Sequence, residues 1–132
     1  MRSEDRTDLY RYLAAYYAAL EAAAHRFHTL PPAPSWVVWG AGLHTELIYQ
    51  QFDFFQAPDT RFLLVDSDPG KHGTTWRGVP VHAPTCLAEL DWTRHRLLIS
   101  SYGHQEAIFE DAVNRGVPAP RIHRLYATIR RY

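Results

Sequence analysis

The stretch WVVWGAGLHTELIYQ, residues 36–50, constrains this chain more than any other. A run of bulky apolar residues, Trp36–Trp39, meets Gly40-Ala41-Gly42, and a helix-like pattern begins at once at Leu43. Strand, glycine turn and helix in that order open a βαβ unit. In a dinucleotide fold the first glycine permits the tight turn. The second lets backbone approach a pyrophosphate, and the third lets helix and strand pack closely. Gly40 and Gly42 stand at the first two positions and Thr45 at the third, so the fingerprint is incomplete. The helix start still aims backbone amides and a positive dipole end at the turn. Glu46 in the first turn favours the helix but weakens the attraction for a close phosphate.

The same alternation continues along the chain. The helix is predicted over Leu43–Phe55, with Leu47, Ile48, Phe52 and Phe55 inward. Strands are predicted at 61–66 (RFLLVD), 79–83 (VPVHA), 95–101 (HRLLISS) and 121–126 (RIHRLY), which with the first makes five. A Gly-rich loop spans 66–78. Helices are expected at 84–90, with Pro84 near the first turn, and at 104–116, closed by Gly116 in a left-handed cap. Before all this, Leu9, Tyr12, Leu13, Tyr16, Leu20, Ala24 and Phe27 recur at helical spacing, predicting one long helix over 5–28 with Ser3 or Asp5 as its cap. The prolines of LPPAPS end it. The expected organisation is an N-terminal helix in 1–30, a proline linker at 31–35 and a domain over 36–132. The fold class is α/β: a small Rossmann-like parallel sheet of about five strands flanked by helices, preceded by the long helix. That helix covers the sheet or pairs with a second chain or partner enzyme.

In such a sheet ligands bind beyond the carboxyl ends of the strands. Asp66 ends the second strand, 24 positions after Gly42, near where a carboxylate should meet ribose hydroxyls. Asp68 is a neighbouring candidate. The ligand-binding set is therefore Gly40, Ala41, Gly42, His44, Asp66, Asp68, Ser100, Ser101 and Tyr102, the last three in the turn after the fourth strand. Ser101 serves equally as a cap for the helix near His104. Lys71 and Arg77 offer charge to a phosphate or stand as solvated surface. His44, His72 and His104 all fall on this edge. They serve as hydrogen-bonding groups, as an acid–base pair (His44 with His104), as metal ligands with Asp66 or Asp68, or as ordinary loop residues. No H-E-x-x-H spacing supports metal, so none is expected. His25 and His28 read as a solvated helix end, and His82 and His123 as structural. Cys86, on an apolar helix face, reads as an inert thiol.

Composition narrows the classes. Lys+Arg and Asp+Glu balance at 14 each, which gives no electrostatic case for nucleic acid or an anionic membrane, and neither is expected as a partner. A lone cysteine among 132 residues excludes an internal disulfide. The opening MRSEDRTDLY is too charged for a secretory signal, and no apolar run approaches the roughly 20 residues that cross a bilayer. A cytoplasmic location is expected. The turn is not a P-loop, since no Gly-Lys-Ser/Thr follows. It lacks the acidic residue expected before the first motif of S-adenosylmethionine methyltransferases.

The pattern WVVWGAGLHTEL…LLVDSDPGKHG…WRGVPVHAP…LLISSYGHQEAIFEDAVNRGVPAPRIHRLY resembles the small Rossmann-like domain that ends certain sugar C-methyltransferases. It is also similar to the nucleotide-sugar-binding N-terminal domain of bacterial sugar acyltransferases. Over residues 36–126 the resemblance implies a nucleotide-type ligand, a sugar nucleotide, at the carboxyl edge of the sheet. The catalytic domains of both families lack a counterpart here, so only binding transfers. Three functions stay open: a nucleotide-binding module in a biosynthetic pathway; a compact isomerase, lyase or hydrolase using His44 and His104; and an interaction subunit with a vestigial site. Hydride transfer is disfavoured, because little chain remains to build a substrate pocket.

Overall fold

The computed structural model describes Tyr10, Arg11, Ala14, Ala15, Tyr17, Ala18, Glu21, Ala24, Arg26 and residues 29–56 and 61–126. The chain divides into two compact units, one of residues 1–30 with 125–132 and one of residues 31–124. In the first, the described residues from Tyr10 to Arg26 are helical. Of the predicted apolar stripe only Ala24 is described; Leu9, Tyr12, Leu13, Tyr16, Leu20 and Phe27 lie outside, as do Ser3, Asp5, His25 and His28.

The second unit is built on β1 (Ser35–Trp39), β2 (Phe62–Val65), β3 (Thr75–Trp76), β4 (Val79–His82), β5 (His95–Ile99) and β6 (Ile122–His123). Their order across the sheet is β3-β4-β2-β1-β5-β6. All neighbours are parallel except β3 and β4. The helices are α1 (Leu43–Gln51) and α2 (Gln105–Asn114), with short 3₁₀ helices at Pro69–Lys71, Pro84–Glu89 and Ala119–Arg121. Setting β3 aside, the chain runs outward from β1 through β2 to β4, returns to β5 on the other side of β1, and ends at β6. This is the doubly wound order, whose switch point lies between β1 and β5.

The central strands read as continuous apolar runs because both faces are covered. Val37, Trp39, Leu97 and Ile99 join Val65, Leu87, Ala112, Val117 and Ile122 in one buried cluster, with Ile108 and Phe109 of α2 packed against it. The alternate residues Val38, Leu64 and Leu98, fully buried, face the other way.

Several boundaries differ from the sequence expectation, and each has a local cause. A sixth strand, β3, stands inside the predicted loop. Arg77 and Gly78 both take positive φ (47° and 81°), the two-residue turn that matches strand twist and closes a β3–β4 hairpin. Arginine is an unusual residue there, which hid the signal. Helix α1 stops at Gln51 rather than Phe55, and Phe52 caps it with its N–H on the Ile48 carbonyl. The aromatics that follow are drawn into edge-to-face contacts instead. Phe54 lies on Trp36, and Phe55 lies on both Phe62 and Trp76. The predicted helix at 84–90 is a six-residue 3₁₀ turn, and the last strand shrinks to Ile122–His123.

Gly40 is where the sheet demands a glycine. Its φ is +129°, and a Cβ there would collide with the carbonyl oxygen of Ser100, the residue after β5. Both strands leave the sheet at this point in close contact. Gly40→Ala is expected to destabilise the chain by at least about 2 kcal/mol, combining backbone strain with the collision. The control Gly116→Ala has positive φ but open space around it, and should cost about 1 kcal/mol. Urea unfolding of the two variants checks the ranking.

Candidate functional site

The turn that follows β1 is tied to its surroundings by several backbone hydrogen bonds. Gly40 N–H extends the ladder to the Val65 carbonyl at 2.7 Å, and Ser100 N–H extends it to the Trp39 carbonyl at 2.9 Å. Thr45, at the third fingerprint position, is fully buried. Its hydroxyl donates to the Gly40 carbonyl at 2.6 Å and lies 2.7 Å from the Ser100 hydroxyl. His44 Nδ1 lies 2.8 Å from that same serine oxygen.

Counting protons settles the direction of this chain. A hydroxyl has one hydrogen. Thr45 spends its own on Gly40, so Ser100 must donate to Thr45, and His44 must donate to Ser100 from a protonated Nδ1. Neutral His44 is therefore the Nδ1–H tautomer. Burial pushes its pKa down from 6.5 to about 4, so the ring is uncharged at neutral pH.

The carboxylate of Asp66 sits at the other side of the turn. One oxygen accepts the Ala41 N–H at 2.8 Å, and the other accepts the Asp68 N–H at 2.9 Å. The ammonium of Lys71 lies 3.6 Å from Asp66 Oδ2. It also lies 3.3 Å from where a Cβ of Gly42 would be. A cation thus stands over the second glycine. Glu46 N–H makes the first intrahelical bond of α1, to the Gly42 carbonyl at 3.2 Å. The amides of Leu43, His44 and Thr45 before it have no acceptor within the helix.

The loop between β2 and β4 folds back on this region. His72 Nε2 donates to the Asp66 carbonyl at 2.7 Å, and Asp68 Oδ1 accepts Gly70 N–H at 2.9 Å. Ser67 accepts the Trp39 indole N–H at 3.0 Å. Arg77 forms a two-pronged pair with Glu46, both bonds 3.0 Å, and its guanidinium lies 3.9 Å over the Tyr49 ring. Hydrogen bonding to Arg77 holds the Glu46 carboxyl below its ordinary value. The Arg77 guanidinium sets a positive charge against the ionised Glu46 beside the turn.

The predicted residues do not all converge. Gly40, Ala41, Gly42, His44, Asp66 and Ser100 form one connected group. Asp68 is exposed and caps the Pro69–Lys71 turn. Ser101 accepts the His104 N–H at 3.1 Å, so it serves the start of α2, and His104 itself is exposed. Tyr102 is half-buried. Thr45, Ser67 and the ion pair of Glu46 with Arg77 are the additions. In the sequence Thr45 stood out only as the residue that leaves the glycine fingerprint incomplete, and its buried hydroxyl contacts depend on Ser100, 55 residues away. Burial pushes the Cys86 thiol up, in line with an inert group. Among the described residues no three His, Cys, Asp or Glu side chains are placed to hold a metal ion, and no helix is long and apolar enough to cross a membrane.

No protein-family model matches the chain, and no curated protein matches it. Solved structures do. RSP, a Rex-family repressor, is 16% identical over 84% of this chain and 49% of its own, with a TM-score of 0.48. RSP in complex with β-NADH is 16% identical over 70% of this chain and 45% of its own, TM-score 0.48. RSP with β-NAD⁺ and operator DNA is 15% identical over 70% and 44%, TM-score 0.47. The chain spans about half the length of these proteins. None of the three is a sugar methyltransferase or acyltransferase. The third holds DNA, and the expectation that nucleic acid is no partner is withdrawn. Net charge is a sum over the chain and does not report how charges group on its surface.

The His44 environment makes a pH prediction. Its folded pKa is depressed, so protons bind the unfolded chain more tightly. The stability it contributes is complete above pH 6.5 and is lost as pH falls toward 4. The difference amounts to about 3 kcal/mol. Urea unfolding at pH 7.5 and 4.5 should show this loss, and His44→Gln should reduce the slope without abolishing it, because His123 is depressed over the same range. An unchanged slope in the variant would place the effect elsewhere.

Proposed function

We propose that this chain is a nucleotide-binding module that holds a ribonucleoside diphosphate across the glycine turn. One observation carries the reading. Beside the glycine turn the Asp66 carboxylate accepts the Ala41 amide at 2.8 Å and pairs with the Lys71 ammonium at 3.6 Å. These are the three kinds of group that a diphosphate joined to a ribose requires: a carboxylate for the hydroxyls, and amides and a cation for the phosphates. In the present arrangement they satisfy each other. Ligand binding exchanges partners. Phosphate oxygens take Lys71 and the amides at the start of α1, and the ribose hydroxyls take Asp66. Hydrogen bonds exchanged one for one cost little net free energy.

The group beyond the diphosphate is a sugar on the strength of the sequence resemblance, and it would extend toward Ser101 and Tyr102. NADH serves as one probe among several. The acid–base reading with His44 and His104 gains no support. His44 is buried and committed to Ser100 through Nδ1, while His104 is exposed.

A thermal-shift series with ADP, UDP, UDP- and dTDP-sugars, NADH and phosphate-free nucleosides tests the proposal. At least one diphosphate should raise Tm. A hundredfold excess over Kd is worth about 2.7 kcal/mol. Gly42→Val, which places a branched side chain against Lys71, should remove the shift, and Lys71→Met should weaken it. Stabilisation by nucleosides alone, or by nothing in the series, would refute the site.

A further inference from the structure

The edge of the sheet at β6 gathers positive charge that no carboxylate among the described residues balances. Arg96, the second residue of β5, donates from Nη1 to Nε2 of His123 on β6 at 3.0 Å. A guanidinium has no acceptor, so His123 accepts at Nε2 and carries its ring proton on Nδ1. Trp36 packs edge-on against the His123 ring, centroids 5.4 Å apart. Arg121 closes the 3₁₀ turn that leads into β6 and donates to the Thr93 carbonyl at 3.4 Å. The register pairs Leu97 with Ile122 and Leu98 with His123. Followed back one residue, it sets Arg121 beside Arg96.

Arg96, Arg121 and His123 are all half-buried. The ion pairs of the described residues involve Lys71, Arg77, Arg115 and Arg124, and neither Arg96 nor Arg121. Arg96 Nε is buried without a hydrogen-bond partner among the described residues. Like charges side by side on adjacent strands repel, and a buried unpaired donor is costly. Burial first, then the two arginines, push His123 down to about 4, so the ring adds no third charge.

We propose that Arg96 and Arg121 form a binding site for a phosphate-class oxyanion at the β5–β6 edge. A phosphate oxyanion between the two guanidiniums offsets their repulsion and gives Arg96 Nε an acceptor. Arginine's planar donor fork suits such oxygens. The site is separate from the glycine turn. Arg96 lies near the start of β5 and Ser100 beyond its end, a span of roughly 13 Å at strand rise.

The probe is inorganic phosphate, added at constant ionic strength against chloride, with His123 followed by NMR. Bound phosphate favours the imidazolium, so the apparent His123 pKa should rise and its ring signals should shift to saturation. Arg121→Gln, at a half-buried turn position that should not disturb folding, is expected to weaken the response about tenfold, the worth of one charge-assisted hydrogen bond. Arg96→Gln should do the same. Phenyl phosphate as a second probe separates sources. A matching response means the site accepts phosphomonoesters, and a response to inorganic phosphate alone means it closes around the free ion. The proposal is overturned if His123 ignores phosphate, if Arg121→Gln responds as the parent does, or if Lys71→Met abolishes the response.

Discussion

The contact between Gly40 and the Ser100 carbonyl is the constraint from which the rest of the site follows. At the switch point β1 and β5 separate to opposite faces of the sheet, and their ends touch before they part. A side chain at Gly40 would force those ends apart. Because they touch, the Ser100 hydroxyl comes within reach of Thr45 and His44 on the first turn of α1. The buried chain from His44 through Ser100 and Thr45 to the Gly40 carbonyl is therefore a consequence of backbone proximity. It pins the start of α1 to the end of β5. Each of its members has a partner, which makes a polar network tolerable in a core of this size.

Charge around the turn is arranged in matched pairs of unequal strength. Arg77 and Glu46 form the firmer one, with two short bonds and an aromatic face beneath the guanidinium. That combination holds Arg77 in a left-handed backbone conformation that arginine seldom adopts. Lys71 and Asp66 form the looser one, at 3.6 Å with the lysine more than a third exposed. Exposed pairs of that kind contribute little. The looser pair is the one that stands over Gly42. An anion arriving there competes with a weak partner, whereas one approaching Glu46 meets a carboxylate already paired with Arg77.

Much of this was legible in the residues. The Gly40-Ala41-Gly42 turn, the carboxylate ending β2 and the apolar central strands were each readable from local pattern, and together they place the switch point. What could not be read depends on contacts distant in sequence. The hairpin at Arg77-Gly78 is supported by Glu46, 31 residues earlier, and nothing local announces it. The early end of α1 reflects aromatic partners on β1, β2 and β3. Asp66 was expected to face a ribose. The sequence does not show that the Ala41 amide and Lys71 are near enough to occupy it first. The even balance of charge concealed the grouping of Arg96 and Arg121, which exists only once β5 and β6 lie side by side.

The central claim is that Asp66 exchanges the Ala41 amide for a ribose when phosphate engages Lys71. The most direct measurement is a crystal structure of the protein grown with saturating ADP. The account predicts phosphate density at the amides of Leu43–Thr45, with Lys71 turned onto it and Asp66 bonded to the ribose hydroxyls. Nucleotide bound elsewhere, with the bond from Ala41 to Asp66 intact, would contradict it.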